Sequence, residues 1–264
     1  MKLALFSAAA RLGDVEANVA AAAASVQEAG ADVAVFPELH LTGYNIGDDV
    51  TRLAFAGEDE RLEPLRSAAA AARCAVVAGA PRTPRPGITH NSAALIDADG
   101  SLSWYDKRCL ATFTTFREGL FFQPGGSSPV WETAHGRIGL SICYDLYFPE
   151  FQRQQALDGA DLLLNISASP ATTRRFFQAI LPARAIENAS FAAQCNVVGA
   201  QDGVVFWGGS HAIGPRGDLL AAAEPFQDTL TLVDIDWDDL GPAREFRPTL
   251  RDAAAAEAAA QWAA

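Results

Sequence analysis

The chain has 264 residues, half of them hydrophobic, which is enough for one large α/β domain with a sizeable core. Lys and Arg total 20 against 32 Asp and Glu. The net charge of −12 excludes the basic surface that phosphate backbones require, so no nucleic-acid partner is expected.

Four cysteines (Cys74, Cys109, Cys143, Cys195) stand far apart with no CxxC pair. That argues against a disulfide scaffold and against a zinc site, and it suits a reducing, cytoplasmic setting. Lys2 followed by Leu3 to Ala10 has a faint look of a signal peptide, but the stretch is short and reads better as the first strand. No apolar run approaches the ~18 residues of a membrane span.

In chain order, Lys2 to Ser7 reads as a strand. Asp14 caps a helix running to about Glu28, and Gly30 ends it. Asp32 to Phe36 is a second, β-branched strand, so the chain opens as a βαβ unit. Glu60 to Arg73 reads as a helix and Ala75 to Ala80 as a third strand. Pro81 to Gly87, with three prolines, is expected to be a loop. A hairpin follows: Asn91 to Ile96, a turn at Asp97 to Gly100, and Ser101 to Tyr105. Phe113 to Phe122 is an aromatic-rich loop.

Val130 to Thr133 and Arg137 to Ile142 form a further hairpin. Pro149 to Leu157 is helical, Asp161 to Ile166 a strand, and Arg174 to Gln194 one long helix. Val197 and Val198 begin a strand. Gly209 to Gly214 and Leu219 to Ala223 pair across Pro215 to Asp218, and Leu230 to Ile235 is the last strand. The hairpins at Ser92-Ala93-Ala94-Leu95 and Ser210-His211-Ala212-Ile213 resemble each other, and each follows a strand–helix–strand series. The pattern predicts one domain over residues 1–264. Its expected fold is a four-layer α-β-β-α sandwich with two pseudo-symmetric halves, and residues 240–264 form a C-terminal arm or tail.

Three short motifs carry the chemistry. Phe36-Pro37-Glu38 follows the second strand, Asp106-Lys107-Arg108 follows the first hairpin, and Ser141-Ile142-Cys143-Tyr144-Asp145 ends the strand Arg137 to Ile142. Each reactive side chain thus falls at a strand end, the rim where open α/β sheets place their sites. In this order the motifs resemble the nitrilase superfamily of carbon–nitrogen hydrolases, over about residues 2 to 236. Gly43-Tyr44, Arg184-Ala185-Ile186-Glu187-Asn188 and Pro215-Arg216-Gly217 extend the resemblance. It implies a Glu38–Lys107–Cys143 triad, no cofactor, and a homodimer or larger assembly. It also implies that Glu118, 11 residues after Lys107, orients the lysine or the substrate. Cys109 and Ala111 depart from the histidine and proline that many relatives carry there.

The residue types suit the chemistry independently. A free thiol is only about 3% ionised at neutral pH, so Cys143 needs a neighbouring base. Glu38 can take that proton and return it to leaving ammonia. Lys107 and the Tyr144 backbone N–H can hold the oxyanion. Tyr44, Phe116, Tyr144, Tyr147 and Trp207 are the candidates for the pocket wall. His40 and His211 are further rim residues, and Arg174 and Arg175 are expected on a solvated face, pairing with a substrate carboxylate being the alternative.

The expected activity is hydrolysis of a small amide to acid and ammonia, since residues 37–47 look closest to aliphatic and stereoselective amidases. N-carbamoyl compounds and nitriles are the alternative substrates of the same triad. A glutaminase half of a synthetase is disfavoured by the lack of a Gly-rich phosphate loop. A silent scaffold is disfavoured by the complete triad, and a redox thiol by the lack of a resolving cysteine beside Cys143.

Overall fold

The computed structural model describes the backbone of residues 1–263 and the side chains of residues 1–256. The opening unit is β1 (Lys2–Ser7), α1 (Val15–Ala29) and β2 (Val33–Val35). Asp14 caps α1 by accepting from the Ala17 N–H at 3.2 Å, and Gly30 ends it in the left-handed region at φ 57°. Next come α2 (Val50–Leu53), α3 (Glu63–Ala72), β3 (Ala75–Arg85), β4 (Ile88–Ile96), β5 (Leu102–Asp106) and α4 (Glu118–Phe121). The second half holds β6 (Val130–Thr133), β7 (Gly136–Ile142), α5 (Pro149–Leu157), β8 (Leu162–Ser167), α6 (Arg174–Asn188) and β9 (Phe191–Asn196). It continues through β10 (Val198–Gln201), β11 (Val204–Trp207), β12 (His211–Ile213), β13 (Leu219–Ala222) and β14 (Thr229–Asp234) to α7 (Leu240–Phe246) and α8 (Thr249–Ala263).

One sheet runs β14-β1-β2-β3-β4-β5 and the other β6-β7-β8-β9-β12-β13. In each, three parallel strands carry one antiparallel neighbour on one side and two on the other. The two-halves expectation therefore holds strand for strand. Strand alternation explains the layering. Leu3, Leu5, Val33, Val35 and Val77 share one core with Ile138, Leu140, Ile142, Leu164 and Ile166 of the other sheet. The intervening Ala4, Ala34, Val76 and Ala78 pack with Val19 and Val26 of α1 and Leu65 of α3. At about 25 cal/mol per Å² of apolar area removed from water, these two layers supply most of the driving force for folding.

Two expectations are corrected. The proline-rich stretch is not a loop as far as Arg85: β3 continues through it, and Pro81 lies opposite Asn91. β2 pairs only as far as Val77, so beyond that point the β2 side of β3 no longer needs the ladder N–H that proline lacks. The long helix stops at Asn188, where Ala189 turns left-handed at φ 44°. Residues 191–196 form a strand instead, despite helix-favouring Ala and Gln, because they sit between β8 and β12 in the middle of the sheet. Finally, β10 and β11 make a separate two-stranded ribbon.

Gly79 shows how tightly β3 supports the segment that leaves β2. A Cβ there would collide with the Leu39 nitrogen, the Pro37 oxygen and the Glu38 Cα. All three are backbone atoms that cannot swing aside. Gly79→Ala is expected to cost about 2–3 kcal/mol by overpacking, read as a fall in Tm of roughly 5–10 °C. It should also reduce any Glu38-dependent activity, since the 37–39 segment must move.

Candidate active site

Each reactive side chain is delivered by a strand that stops beneath it. After β2, Phe36 still donates to the Val77 oxygen (2.8 Å). The chain then leaves the sheet over Gly79, with Leu39 left-handed at φ 51°. Lys107 follows β5. Its N–H donates to the Asn91 oxygen (2.8 Å), and its carbonyl accepts from the Gly125 N–H (2.7 Å). Cys143 follows β7 at φ 46°. A non-glycine residue held there costs on the order of 1–3 kcal/mol, which the surroundings must offset.

Asp145 ties that turn to the lysine loop. One carboxylate oxygen accepts from the Ile142 N–H (3.0 Å) and the Tyr105 hydroxyl (2.8 Å). The other accepts from the Cys109 N–H (2.7 Å) and the Arg108 N–H (3.2 Å).

The centre is a buried ion cluster. The Lys107 ammonium donates to Glu38 Oε1 and to Glu118 Oε1, both at 2.7 Å, and all three side chains are at most 4% exposed. Glu38 also accepts from Asn91 Nδ2 on Oε1 and from the Ala168 N–H on Oε2, each at 2.7 Å. Glu118 further accepts from the Tyr44 hydroxyl (2.7 Å) and the Ala111 N–H (2.9 Å). Every contact to the two acids is a donor, so both act as carboxylates. With one ammonium the cluster carries a net charge of −1.

This charge sets the state of Cys143. Burial pushes its thiol well up, Glu38 pushes it further, and Lys107 only partly opposes them. The resting sulfur is therefore a thiol, beside the same Ala168 N–H that holds Glu38. Burial also raises Glu38, against the lowering effect of Lys107. For Lys107, burial disfavours the charge, but Glu118 and Glu38 together hold the ammonium well above its ordinary range.

The segment bearing Ala168 is itself pinned. Asn196 accepts from the Ser169 N–H (2.8 Å) and donates to the Ser169 and Gly208 oxygens. Beside Cys143, Asn165 Nδ2 donates to Ser141 Oγ (2.9 Å). Among the described residues no cluster of three or more His, Cys, Asp or Glu could hold a metal ion.

Of the expected wall residues, Tyr44 and Phe116 meet edge to face (6.1 Å) and line a cleft of about 850 Å³ that reaches Glu118. Leu39, Phe122 and Val204 complete its apolar side. Tyr144 packs between Phe113 (4.9 Å) and Tyr147 (5.4 Å), away from that cleft lining. Tyr147 is half-buried, and burial pushes it up to about 12. Trp207 is fully buried, with Nε1 donating to Ser169 Oγ (3.2 Å).

His40 is a buried ring stacked on Phe36, lowered to about 4 by burial and so neutral. His211 is likewise buried, against the Gly209 oxygen. Cys109 is partly exposed in the lysine loop. Asn91, Tyr105 and Ala168 had no assigned role in the sequence. The one legible signal was a polar Asn91 at the head of an apolar strand.

The family model described as carbon–nitrogen hydrolase matches residues 2–245. The chain belongs to that family, and its two helix-flanked sheets are the fold of its solved members. It is similar to the omega-amidase YafV of Escherichia coli, 33% identical over 226 residues, 85% of each chain. It is also similar to a probable nitrilase of Schizosaccharomyces pombe, 31% identical over 214 residues, 80% of this chain and 78% of that one. Among solved structures, an amidase from Nesterenkonia sp. superposes with a TM-score of 0.80 at 32% identity, covering 91% of this chain and 92% of that one.

Two outcomes follow from the charges. Asn91→Ala removes a donor that favours the Glu38 carboxylate, so the acid limb of kcat/KM should move up by about one pH unit in a pH–rate profile. His40 binds its proton at 6.5 unfolded but only at about 4 folded. The unfolded state thus takes up the proton first, and about 3 kcal/mol of stability is lost as pH falls from 6.5 to 4. Denaturant titrations of His40→Leu should show a correspondingly flatter slope across that window.

Proposed function

We propose that the protein is an amidase that hydrolyses a small amide to the acid and ammonia through a thioester on Cys143. The observation that carries this reading is the Glu38 carboxylate, held by three donors and sharing the Ala168 N–H with a neutral thiol. Sγ attacks the amide carbon while its proton passes to Glu38. The developing oxyanion takes the third Lys107 N–H, the two others being engaged by Glu38 and Glu118, together with the Tyr144 backbone N–H. Glu38 then protonates the leaving nitrogen, the C–N bond breaks and ammonia departs. Water, deprotonated by Glu38, attacks the thioester, and the carboxylic acid leaves as the thiol is restored.

Glu118 keeps Lys107 charged and aimed. The cleft beside it accepts the acyl group, with Tyr44 and Phe116 as its aromatic wall. The omega-amidase and amidase among the relatives favour an amide over a nitrile or an N-carbamoyl compound. The same reading takes the enzyme to be cytoplasmic and a homodimer or larger. Phe176, 41% exposed on α6, belongs to the face it would bury. No helix among the described residues is long and apolar enough to cross a membrane.

An ammonia-release screen over amides, N-carbamoyl compounds and nitriles tests the class directly, with amides expected to be turned over fastest. Cys143→Ala should abolish turnover while losing only about 1 kcal/mol of stability, because one small atom at a sheet rim is removed. A slow amide trapped on the wild-type enzyme should place its acyl mass on the peptide containing Cys143. Full activity in Cys143→Ala, or label on Cys109 instead, would overturn the mechanism.

A further inference from the structure

The ribbon β10–β11 belongs to neither six-stranded sheet, yet one of its residues is tied to the lysine. Gln201 ends β10 and pairs with Val204 across the turn Asp202-Gly203. Asp202, Gly203 and Val204 line the cleft that reaches Glu118. Gln201 is buried, and its Oε1 accepts from the Tyr44 N–H (3.0 Å) and the Asn45 N–H (3.2 Å). Its backbone oxygen accepts from Asn45 Nδ2 (2.9 Å). Tyr44 and Asn45 lie between β2 and α2, outside any helix or strand, so no ladder satisfies these two N–H groups. The Gln201 side chain does it instead.

Tyr44 carries the contact inward. Its hydroxyl donates to Glu118 Oε1 at 2.7 Å, and the same oxygen receives the Lys107 ammonium at 2.7 Å. Burial, and then the charge of Glu118, pushes that hydroxyl well up, so it stays a donor. The Tyr44 ring meets Phe206 of β11 edge to face at 5.8 Å. Phe206 shares a small apolar cluster with Ala168, whose N–H holds Glu38. The ribbon thus meets the ion cluster twice: through Gln201 and Tyr44 on the Glu118 side, and through Phe206 and Ala168 on the Glu38 side.

Aim matters here because two Lys107 N–H groups are spent on carboxylates. The direction of the third follows from where Glu118 Oε1 stands. A hydrogen bond weakens steeply when misaligned, and a reacting group displaced by about 1 Å can lose about 100-fold in rate.

We propose that Gln201 is a positioning residue that sets the aim of the Lys107 ammonium through Tyr44 and Glu118. The proposal rests on the amidase reading for what that ammonium does, and it makes the ribbon a working part of the site as well as a wall of the cleft.

The first test follows ammonia release from propanamide. Gln201→Leu should lower kcat by about 10-fold or more while KM changes by less than about 3-fold. Gln201→Glu keeps the accepting oxygen and should recover to within about 3-fold of the wild type. In a Tyr44→Phe background, Gln201→Leu should cost less than about 3-fold more, because the hydroxyl through which it acts is already gone. Wild-type kcat in Gln201→Leu, a Gln201→Glu no better than Gln201→Leu, or full additivity with Tyr44→Phe overturns the proposal. Thermal unfolding checks that each variant is folded. Gln201→Asn, which withdraws the oxygen by one methylene, is expected to lose about 3-fold or more in kcat and is read in place of Gln201→Leu if that variant does not fold.

Alkylation of Cys143 by iodoacetamide, followed on its own peptide, reads the same coupling without turnover. Lys107 pulls the Cys143 thiol down against its burial, so a misplaced ammonium leaves less thiolate. The alkylation rate at pH 8 should fall by about 3-fold or more in Gln201→Leu and recover in Gln201→Glu. An unchanged rate in Gln201→Leu sinks the proposal even if no amide is hydrolysed. A fall in that rate, with no ammonia from the wild type, supports the positioning role and counts against the amidase reading alone.

Discussion

The site depends on one buried ammonium. Lys107 lies between two carboxylates, each 2.7 Å away, in a place water does not reach. Removing one partner from such a cluster leaves uncompensated charge and typically costs about 3–5 kcal/mol. That penalty obliges three separate chain segments to arrive together: the turn after β2, the loop after β5 and the loop leading into α4. Asp145 adds the turn after β7 to the same assembly through four backbone and side-chain donors. Cys143, Glu38 and Lys107 are thus positioned by a connected network, and the strained φ of Cys143 persists inside it.

The duplicated architecture explains where the site falls. In each sheet the middle strand of the parallel trio ends at the centre of the molecule, β2 leading to Glu38 and β8 to Ala168. These two points meet, and their hydrogen bond joins the halves at 2.7 Å. Cys195 makes a second bridge nearby, its thiol donating to the Val35 oxygen at 3.2 Å. The halves therefore supply unlike chemistry from like positions, an acid from one and a backbone donor from the other.

Much of this was legible in the sequence. Alternating apolar strands, the Asp14 and Gly30 caps and the three motifs at strand ends gave the layers and placed Glu38, Lys107 and Cys143 at one rim. What was not legible had physical causes. The 191–196 strand is written in helix-favouring residues, and only its place between two other strands decides it. The proline-bearing end of β3 reads as a loop because the early end of β2 cannot be seen locally. Asn91 and Ala168 act through tertiary contacts 53 and 130 residues from Glu38, which no local pattern encodes. Trp207 looked like a wall residue, and only the three-dimensional arrangement shows its ring enclosed and its N–H spent on Ser169.

The pairing of β14 with β1 has a kinetic consequence. Lys2 to Ser7 lie opposite Thr229 to Asp234, so the first sheet is closed by a strand more than 220 residues away. Until that strand is synthesised, β1 presents a bare row of backbone donors and acceptors, the kind of edge that recruits foreign strands. Contacts of such long sequence separation also form late, because closing the intervening loop comes first. The nascent N-terminal half therefore cannot complete its own sheet. The interval between its emergence and the arrival of residues 229–234 is when this chain is most exposed to misassembly.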